Sequence, residues 1–136
     1  MTTAVDAPPA QVWRLFVDVE HWPQMIESYR DVRRTDSGPL RIGSEAVVRQ
    51  VGLPRARWRV TELEPGRTFT WQTTGAGVTS SGRHVVEADG QGAVVTLILR
   101  LDGPLARVVE VLLGRRTRRY LSMELDGFRR AAESAG

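Results

Sequence analysis

Four polar residues of the sequence could take part in acid–base or carbonyl chemistry: Arg49, His84, Tyr120 and Glu124. His84 alternates with Val86, and an imidazole with an ordinary pKa of about 6.5 suits proton transfer at neutral pH. Tyr120 and Glu124 are four residues apart, so a helix would present the hydroxyl and the carboxylate on one face. An inward Arg49 would offer its guanidinium fork to a carbonyl or carboxylate. The candidate catalytic groups are therefore His84, Arg49 and Tyr120.

Each of these residues also has a purely structural interpretation. A lone histidine on an apolar face is often a core residue, and no second group at a fixed spacing marks this one as catalytic. Tyr120 and Glu124 could pack with their polar tips in water. Arg49 shares a strand face with Val47, but the opposite register puts Val48 inward and Arg49 in solvent. The sequence alone leaves that register open.

The composition excludes several other kinds of chemistry. The 136 residues include no cysteine, which removes thiol nucleophiles, Cys-ligated zinc and iron–sulfur clusters. All 19 basic residues are arginine, so a Schiff-base mechanism and a Walker A phosphate loop lack their lysine. With only His21 and His84, a zinc site of three histidines is also excluded. We therefore expect no metal and no cofactor, and we interpret His21, in the His21-Trp22-Pro23 turn, as structural.

The charge pattern favours no nucleic-acid partner. The net charge is only +3 at pH 7. The arginine-rich run at 115–119 lacks interleaved aromatic residues, and acidic residues lie nearby, so we interpret it as a solvated helix face. The first residues show no basic stretch followed by an apolar run, and no apolar stretch reaches the roughly 18 residues of a membrane span. The sequence therefore predicts a cytoplasmic protein without a transmembrane segment.

Hydrophobic periodicity and turn residues predict the elements that must position these side chains. Apolar residues at helical spacing and then at alternating spacing indicate an α+β protein with antiparallel strands. The clearest strand is 93–102, where Val95, Leu97, Leu99 and Leu101 alternate with a more mixed side. We predict one domain over 1–136. Its elements are a strand at 2–6, two short helices at 9–17 and 18–25, five to six strands within 29–102, and a long final helix from 105 almost to the end.

Several motifs carry a resemblance that spans nearly the whole chain. Val5-Asp6-Ala7-Pro8-Pro9-Ala10-Gln11-Val12-Trp13 and Asp18-Val19-Glu20-His21-Trp22-Pro23 resemble the beginning of the START-like (SRPBCC) superfamily, in its polyketide cyclase/dehydrase branch. The turn at Pro65-Gly66-Arg67, the strand at Phe69-Thr70-Trp71, Gly82 and Gly103-Pro104-Leu105 follow in that family's usual order. These motifs are specific for the fold and much less so for a reaction.

The resemblance implies a helix-grip fold, in which a strongly curved antiparallel sheet wraps around a long C-terminal helix, with two short helices near the N-terminus. An elongated cavity lies between sheet and helix in this family. Its members bind lipids, sterols, polyketides or other small hydrophobic molecules, and some catalyse cyclisation or dehydration. The related cyclases can hold a polyketide carbonyl or carboxylate with a cavity arginine, which is the role that Arg49 would have.

The cavity implied by this fold predicts the ligand-binding residues. Trp71 shares a strand face with Phe69 and is the residue that we most expect to line the cavity, because its indole offers a broad apolar surface and one N–H donor. The predicted ligand-binding residues are Trp22, Met25, Trp58, Trp71, His84, Leu97, Leu99, Tyr120 and Glu124.

Three functions are compatible with this sequence. The first is non-covalent binding of a small hydrophobic or aromatic ligand, such as a lipid, a sterol or a polyketide-like molecule. The second is a cofactor-independent polyketide cyclase or dehydratase, in which Arg49 or Tyr120 polarises a carbonyl and His84 moves a proton. The third is a protein-interaction module or homodimer, because 105–113 is apolar on more than one side, with Val108 and Val111 off the main stripe.

Overall fold

A computed structural model describes residues 1–135, so Gly136 lies outside it. The described chain forms seven β-strands and three α-helices, with a short 3-10 turn at Val19–His21. In chain order the elements are β1 (Thr2–Val5), α1 (Pro9–Val17), α2 (Trp22–Met25), β2 (Tyr29–Arg34), β3 (Glu45–Gln50), β4 (Ala56–Glu64), β5 (Thr68–Gly75), β6 (Val78–Asp89), β7 (Gly92–Asp102) and α3 (Ala106–Ser134).

All seven strands belong to one antiparallel sheet with the order β1-β7-β6-β5-β4-β3-β2. Strands β2 to β7 are paired in sequence order, as expected when short turns join antiparallel neighbours. The first strand instead pairs with the last one, with Thr2 opposite Thr96 and Val5 opposite Ala93. The sheet is curved and its inner face looks toward α3.

Register shifts in β2 and β4 change which side chains face inward. In β2 the shift lies between Tyr29 and Asp31, and in β4 it lies between Val60 and Glu62. Because an extra residue interrupts the alternation, Tyr29 and Val32 are both buried although they are three residues apart. Such bulges also increase the local twist, which helps the sheet to bend around the helix.

The long helix α3 lies across the sheet, and its second half closes the core. Leu125, Phe128 and Ala132 of this half are buried against the sheet and α1. Phe16 of α1 and Trp22 of α2 complete an aromatic core, and their rings lie 5.0 and 5.4 Å from that of Phe128. This architecture confirms the prediction of an α+β, helix-grip fold with two short helices near the N-terminus.

The first half of α3 leaves apolar side chains exposed. Val111 and Leu112 have exposed fractions of 78% and 73%, and Leu105 and Val108 are also exposed. The helix runs through Gly114 without interruption. No helix within residues 1–135 combines the length and the apolar character that crossing a membrane requires.

Candidate functional site

A cavity of about 230 Å³ lies between the inner face of the sheet and α3. Trp58 of β4 and Leu99 and Leu101 of β7 form its sheet wall, and Val109 and Leu121 line it from the helix. A smaller hollow of about 40 Å³ adjoins it and is lined by Trp71, His84 and Leu97. Tyr29, Leu99, Leu121 and Glu124 contribute to both spaces. The site is therefore mainly apolar, with polar groups at its inner end.

His84 and Glu124 form a buried pair at this inner end. The His84 side chain is 4% exposed and the Glu124 side chain 10%. Nε2 of His84 lies 3.1 Å from Oε1 of Glu124, which is hydrogen-bond distance. A carboxylate at this depth requires such a partner, because an unpaired buried charge is strongly destabilising.

Aromatic rings fix the orientation of His84. Its imidazole stacks on Phe69, the cross-strand neighbour, with ring centroids 4.3 Å apart and planes 4° from parallel. Trp22 and Phe16 contact it from the helices, with centroids at 5.2 and 5.7 Å. The second ring nitrogen, Nδ1, is buried and has no hydrogen-bond partner among the described residues. His84 therefore lies behind Glu124, and Glu124 is the member of the pair that faces the larger cavity.

Tyr29, which the sequence analysis did not single out, completes this group. Burial raises the pKa of Tyr29 well above its usual value, and the nearby charge of Glu124 acts in the same direction. The phenol is therefore protonated at neutral pH and can donate to the Glu124 carboxylate or to a bound ligand. The bulge in β2 turns Tyr29 inward, and the sequence gives no signal for that bulge.

Arg49 does not belong to the site. Strand β3 buries Ala46 and Val48, so the alternating positions Val47 and Arg49 point away from the cavity, and Arg49 is exposed. The inward placement of Arg49 is therefore corrected: the opposite register, with Val48 inward, is the one that the protein adopts. A role for Arg49 in holding a carbonyl is excluded by this geometry.

Trp22 and Met25 also lie outside the cavity. Trp22 is fully buried in the core, in contact with Trp71 and His84, and its indole N–H is already used in a 3.0 Å hydrogen bond to the Leu15 carbonyl. Met25 lines a separate surface hollow beside Arg130. The ligand-contacting role expected for both is corrected, since the four-residue helix α2 buries Trp22 in the core and places Met25, partly buried, against the core beside that hollow.

Tyr120 lies at the mouth of the cavity and is half-buried. Its hydroxyl donates a hydrogen bond to the Val51 carbonyl in the β3–β4 turn, and the Arg116 guanidinium lies 5.6 Å from its ring centroid. The hydroxyl is thus engaged in holding the turn and is not free to polarise a carbonyl. Each of the remaining predicted ligand-binding residues lines at least one of the two adjoining spaces: Trp58, Trp71, His84, Leu97, Leu99 and Glu124.

His21 lies at the surface, away from the cavity, with Nδ1 2.6 Å from Oδ1 of Asp18. That hydrogen bond, followed by the charge of Asp18, raises the pKa of His21. Residues 1–135 contain no cluster of three or more histidine or acidic side chains that could hold a metal ion.

Comparisons with solved structures show the same fold in distant proteins. A hypothetical protein from Helicobacter pylori has a TM-score of 0.82 at 13% identity, covering 97% of this chain and 85% of that one. The di-domain ARO/CYC StfQ from the steffimycin biosynthetic pathway has a TM-score of 0.81 at 10% identity, covering 99% of this chain and 50% of that one. Major latex-like protein 151 from Panax ginseng has a TM-score of 0.76 at 13% identity, covering 99% and 93%.

The sequence comparisons identify the family. No curated protein sequence matches this chain. The family model described as polyketide cyclase / dehydrase and lipid transport matches residues 1–133. Because the match extends over nearly the whole chain, it also confirms the resemblance carried by the sequence motifs. The chain therefore belongs to the polyketide cyclase / dehydrase and lipid transport family of the START-like (SRPBCC) superfamily.

Proposed function

We propose that this protein binds a small hydrophobic or aromatic molecule in the cavity between the sheet and α3. The observation that carries this proposal is the apolar cavity of about 230 Å³ with an acid–phenol pair at its inner end. Binding sites for small molecules are typically apolar with a few convergent polar groups, and the volume lies just below the roughly 300–1,000 Å³ of drug-sized sites. A ligand of one or two rings, or a short chain, fits these dimensions.

The polar groups favour a ligand with a hydroxyl or carbonyl at one end. Glu124 can accept a hydrogen bond from a ligand hydroxyl, and Tyr29 can donate one to a carbonyl. Trp58 and Trp71 lie 5.6 Å apart between ring centroids and offer a continuous aromatic wall to the rest of the molecule. Such a wall suits a planar ligand, since aromatic pairs add to the energy of area burial.

Native mass spectrometry of the purified protein, followed by titration with hydroxylated and carbonyl-bearing aromatic compounds, tests this proposal. Leu121→Trp places a bulky ring where Leu121 contacts both spaces and should abolish binding. Leu112→Trp makes the same chemical change at an exposed position of α3 and should leave binding unchanged. A folded Leu121→Trp protein that binds as well as wild type would contradict the assignment of this cavity.

A second candidate function, polyketide cyclisation or dehydration, is favoured by the Glu124–Tyr29 pair. In an aldol cyclisation Glu124 would take a proton from a CH₂ between two carbonyls, and the resulting enolate carbon would attack a third carbonyl further along the chain. The new C–C bond forms as that C=O π bond breaks, and Tyr29 gives its proton to the alkoxide. Glu124 then returns a proton to Tyr29, so the cycle consumes none. His84 acts here as a positioning residue for Glu124.

Dehydration would follow from the same groups, since loss of an adjacent proton and the new hydroxyl yields water and a C=C bond. Glu124→Gln and Tyr29→Phe should remove product formation from a short model polyketone while leaving ligand binding measurable. Arg49→Gln, outside the cavity, serves as the control and should keep the wild-type rate. Unchanged rates in folded Glu124→Gln and Tyr29→Phe proteins would exclude this mechanism.

A third candidate, association with a second copy of the chain, rests on the exposed apolar residues of α3. Val108, Val111 and Leu112 are exposed along the first half of the helix, and Leu105, which directly precedes it, is exposed as well. Burial of such a patch in a homodimer would remove apolar surface from water. Sedimentation velocity over a range of concentrations tests it, with Val111→Asp expected to give monomer. A monomeric wild type at the highest concentration would oppose it.

A further inference from the structure

A groove lined by arginines lies beside the mouth of the cavity. It has a volume of about 740 Å³ and is formed by the α2–β2 connection, β2, the β3–β4 turn and α3. Arg30, Arg115, Arg116 and Arg119 line it, with Glu27 as the one acidic residue. Tyr120 belongs to the walls of both the groove and the cavity, so the two spaces adjoin at this side chain.

The groove concentrates the charge of the whole protein. Its four arginines and one glutamate carry a net +3. The complete sequence also has a net charge of +3, so the rest of the chain is neutral as a whole. Within residues 1–135, Arg30, Arg115 and Arg119 take part in no ion pair. Three uncompensated guanidiniums in one concave surface attract an anion, and a low-dielectric wall strengthens that attraction.

Arg116 has a different role from the other three arginines. Its guanidinium donates to the Val51 carbonyl at 3.3 Å and to the Tyr120 hydroxyl at 3.4 Å. These bonds hold the β3–β4 turn against α3 and fix one wall of the groove. Arg115 and Arg119, four residues apart on the same helix, remain available to a ligand.

Ser28 supplies an independent indication of a ligand. It is 2% exposed and lines the groove, yet its hydroxyl has no hydrogen-bond partner within residues 1–135. Its backbone is fixed, because the Val51 N–H donates to the Ser28 carbonyl at 2.9 Å. An unsatisfied buried hydroxyl is unfavourable, and an anionic oxygen in the groove would supply the missing acceptor.

We propose that the groove binds the acidic head group, a carboxylate or a phosphate, of an amphipathic ligand whose apolar part occupies the cavity. This inference rests on the proposed ligand-binding function and names the chemical class of the ligand. The head group contacts Arg30, Arg115, Arg119 and Ser28. The chain passes Tyr120 toward Trp58 and Leu99, which requires the hydrogen bond between the Tyr120 hydroxyl and the Val51 carbonyl to open. Guanidinium forks match the planar geometry of a carboxylate and the oxygens of a phosphate.

Calorimetric titration at low ionic strength with octanoate, octyl phosphate, octanol and inorganic phosphate tests the proposal. We expect octanoate and octyl phosphate to bind at least about tenfold more tightly than octanol, since hydrogen bonds to charged groups are the strong ones. Arg115→Gln/Arg119→Gln should reduce the affinity for both anions to that for octanol and leave octanol binding unchanged. Arg14→Gln/Arg107→Gln removes the same charge at two exposed positions outside the groove and should leave all affinities unchanged.

Ser28→Ala gives a second readout that a purely structural role would not produce. It should weaken binding of the two anionic amphiphiles but not of octanol, while raising the melting temperature of the free protein, because an unsatisfied hydroxyl is removed. Weaker anion binding together with a higher melting temperature supports the proposal. An unchanged anion affinity of the Ser28→Ala protein would show that Ser28 does not contact the head group.

The outcomes separate this inference from the proposed function. Equal affinities for octanol and octanoate would overturn the head-group site and leave the cavity proposal standing. If inorganic phosphate binds and none of the amphiphiles binds more tightly, the amphipathic ligand is overturned and only an anion site remains. The cavity proposal is then decided by the titration with aromatic compounds. Binding of none of the four probes would overturn the head-group site, and the cavity proposal would fail only if the aromatic compounds did not bind either.

Discussion

Two glycines in α3 provide a matched test of how closely the helix approaches the elements around the site. A Cβ added at Gly127 would lie 2.4 Å from the Met25 carbonyl oxygen and 3.0 Å from Cγ1 of Ile26. A Cβ added at Gly114 would meet only Nη1 of Arg118, at 3.6 Å. Both positions are helical, so alanine improves the intrinsic helix propensity of each by about 1 kcal/mol. The propensity gain cancels when the two variants are compared.

We therefore expect Gly114→Ala to stabilise the protein by about 1 kcal/mol and Gly127→Ala to be less stable than Gly114→Ala by about 1–3 kcal/mol, the usual cost of overpacking a closed core. Gly127→Ala must move backbone atoms, because the closest atom belongs to the Met25 carbonyl. This movement shifts α2, whose first residue, Trp22, packs on His84 and Trp71. The same variant should therefore also weaken ligand binding.

Urea denaturation followed by tryptophan emission measures both stabilities, and calorimetric titration measures ligand affinity. The comparison is internal, since the substitution, the helix and the solvent conditions are the same. Equal free energies of unfolding for Gly114→Ala and Gly127→Ala would refute the conclusion that α2 contacts α3 at Gly127.

Three further predictions concern the site and the surface. Trp71→Phe should remain folded and bind ligand more weakly, with ligand changing the wild-type tryptophan emission; unchanged affinity would show that Trp71 serves packing alone. His84→Ala should lower the free energy of unfolding, measured in urea, by about 3–5 kcal/mol, because it leaves Glu124 buried without its partner. The double variant His84→Phe/Glu124→Leu should recover most of that stability. If it recovers none, the unpaired Glu124 is not the cause of the loss. The Asp36 pKa is lowered chiefly by the Ser44 hydrogen bond and also by Arg34 and Arg41. At pH values above the ordinary pKa near 3.8, Asp36→Asn should therefore have a lower melting temperature than the wild type. This difference between the two proteins should vanish as the pH falls through the lower pKa of folded Asp36. A difference that stays constant over that pH range would contradict the prediction.

The elements with strong, well-punctuated periodicity could be predicted closely. The predicted helix over 9–17 is the observed α1, because Pro8 and Pro9 start it and its apolar residues recur at helical spacing. The strand predicted over 93–102 begins one residue earlier, at Gly92. In both cases the side-chain pattern has one dominant period, so neighbouring elements could not change the assignment.

Predictions that depended on strand register succeeded only where one face was unambiguous. In β3 both faces carry valine, so the pattern could not decide between Val48 and Arg49 as the inward residue. In β2 strict alternation groups Tyr29 with Asp31 and Arg33, and only the bulge separates the buried tyrosine from them. Bulges depend on pairing with a distant strand, which is information that the local sequence does not contain.

The pairing of the first strand with the last has a consequence for how the chain folds. Thr2–Val5 pairs with Ala93–Thr96, so this pairing cannot form until about two-thirds of the chain has left the ribosome. The packing of α1 and α2 is complete even later, because Phe16 and Trp22 pack against Phe128 of α3. Contacts between such distant segments slow folding, since loop-closure entropy is lost before they form. During synthesis the β2–β7 meander can therefore assemble first, with its inner face uncovered until α3 arrives.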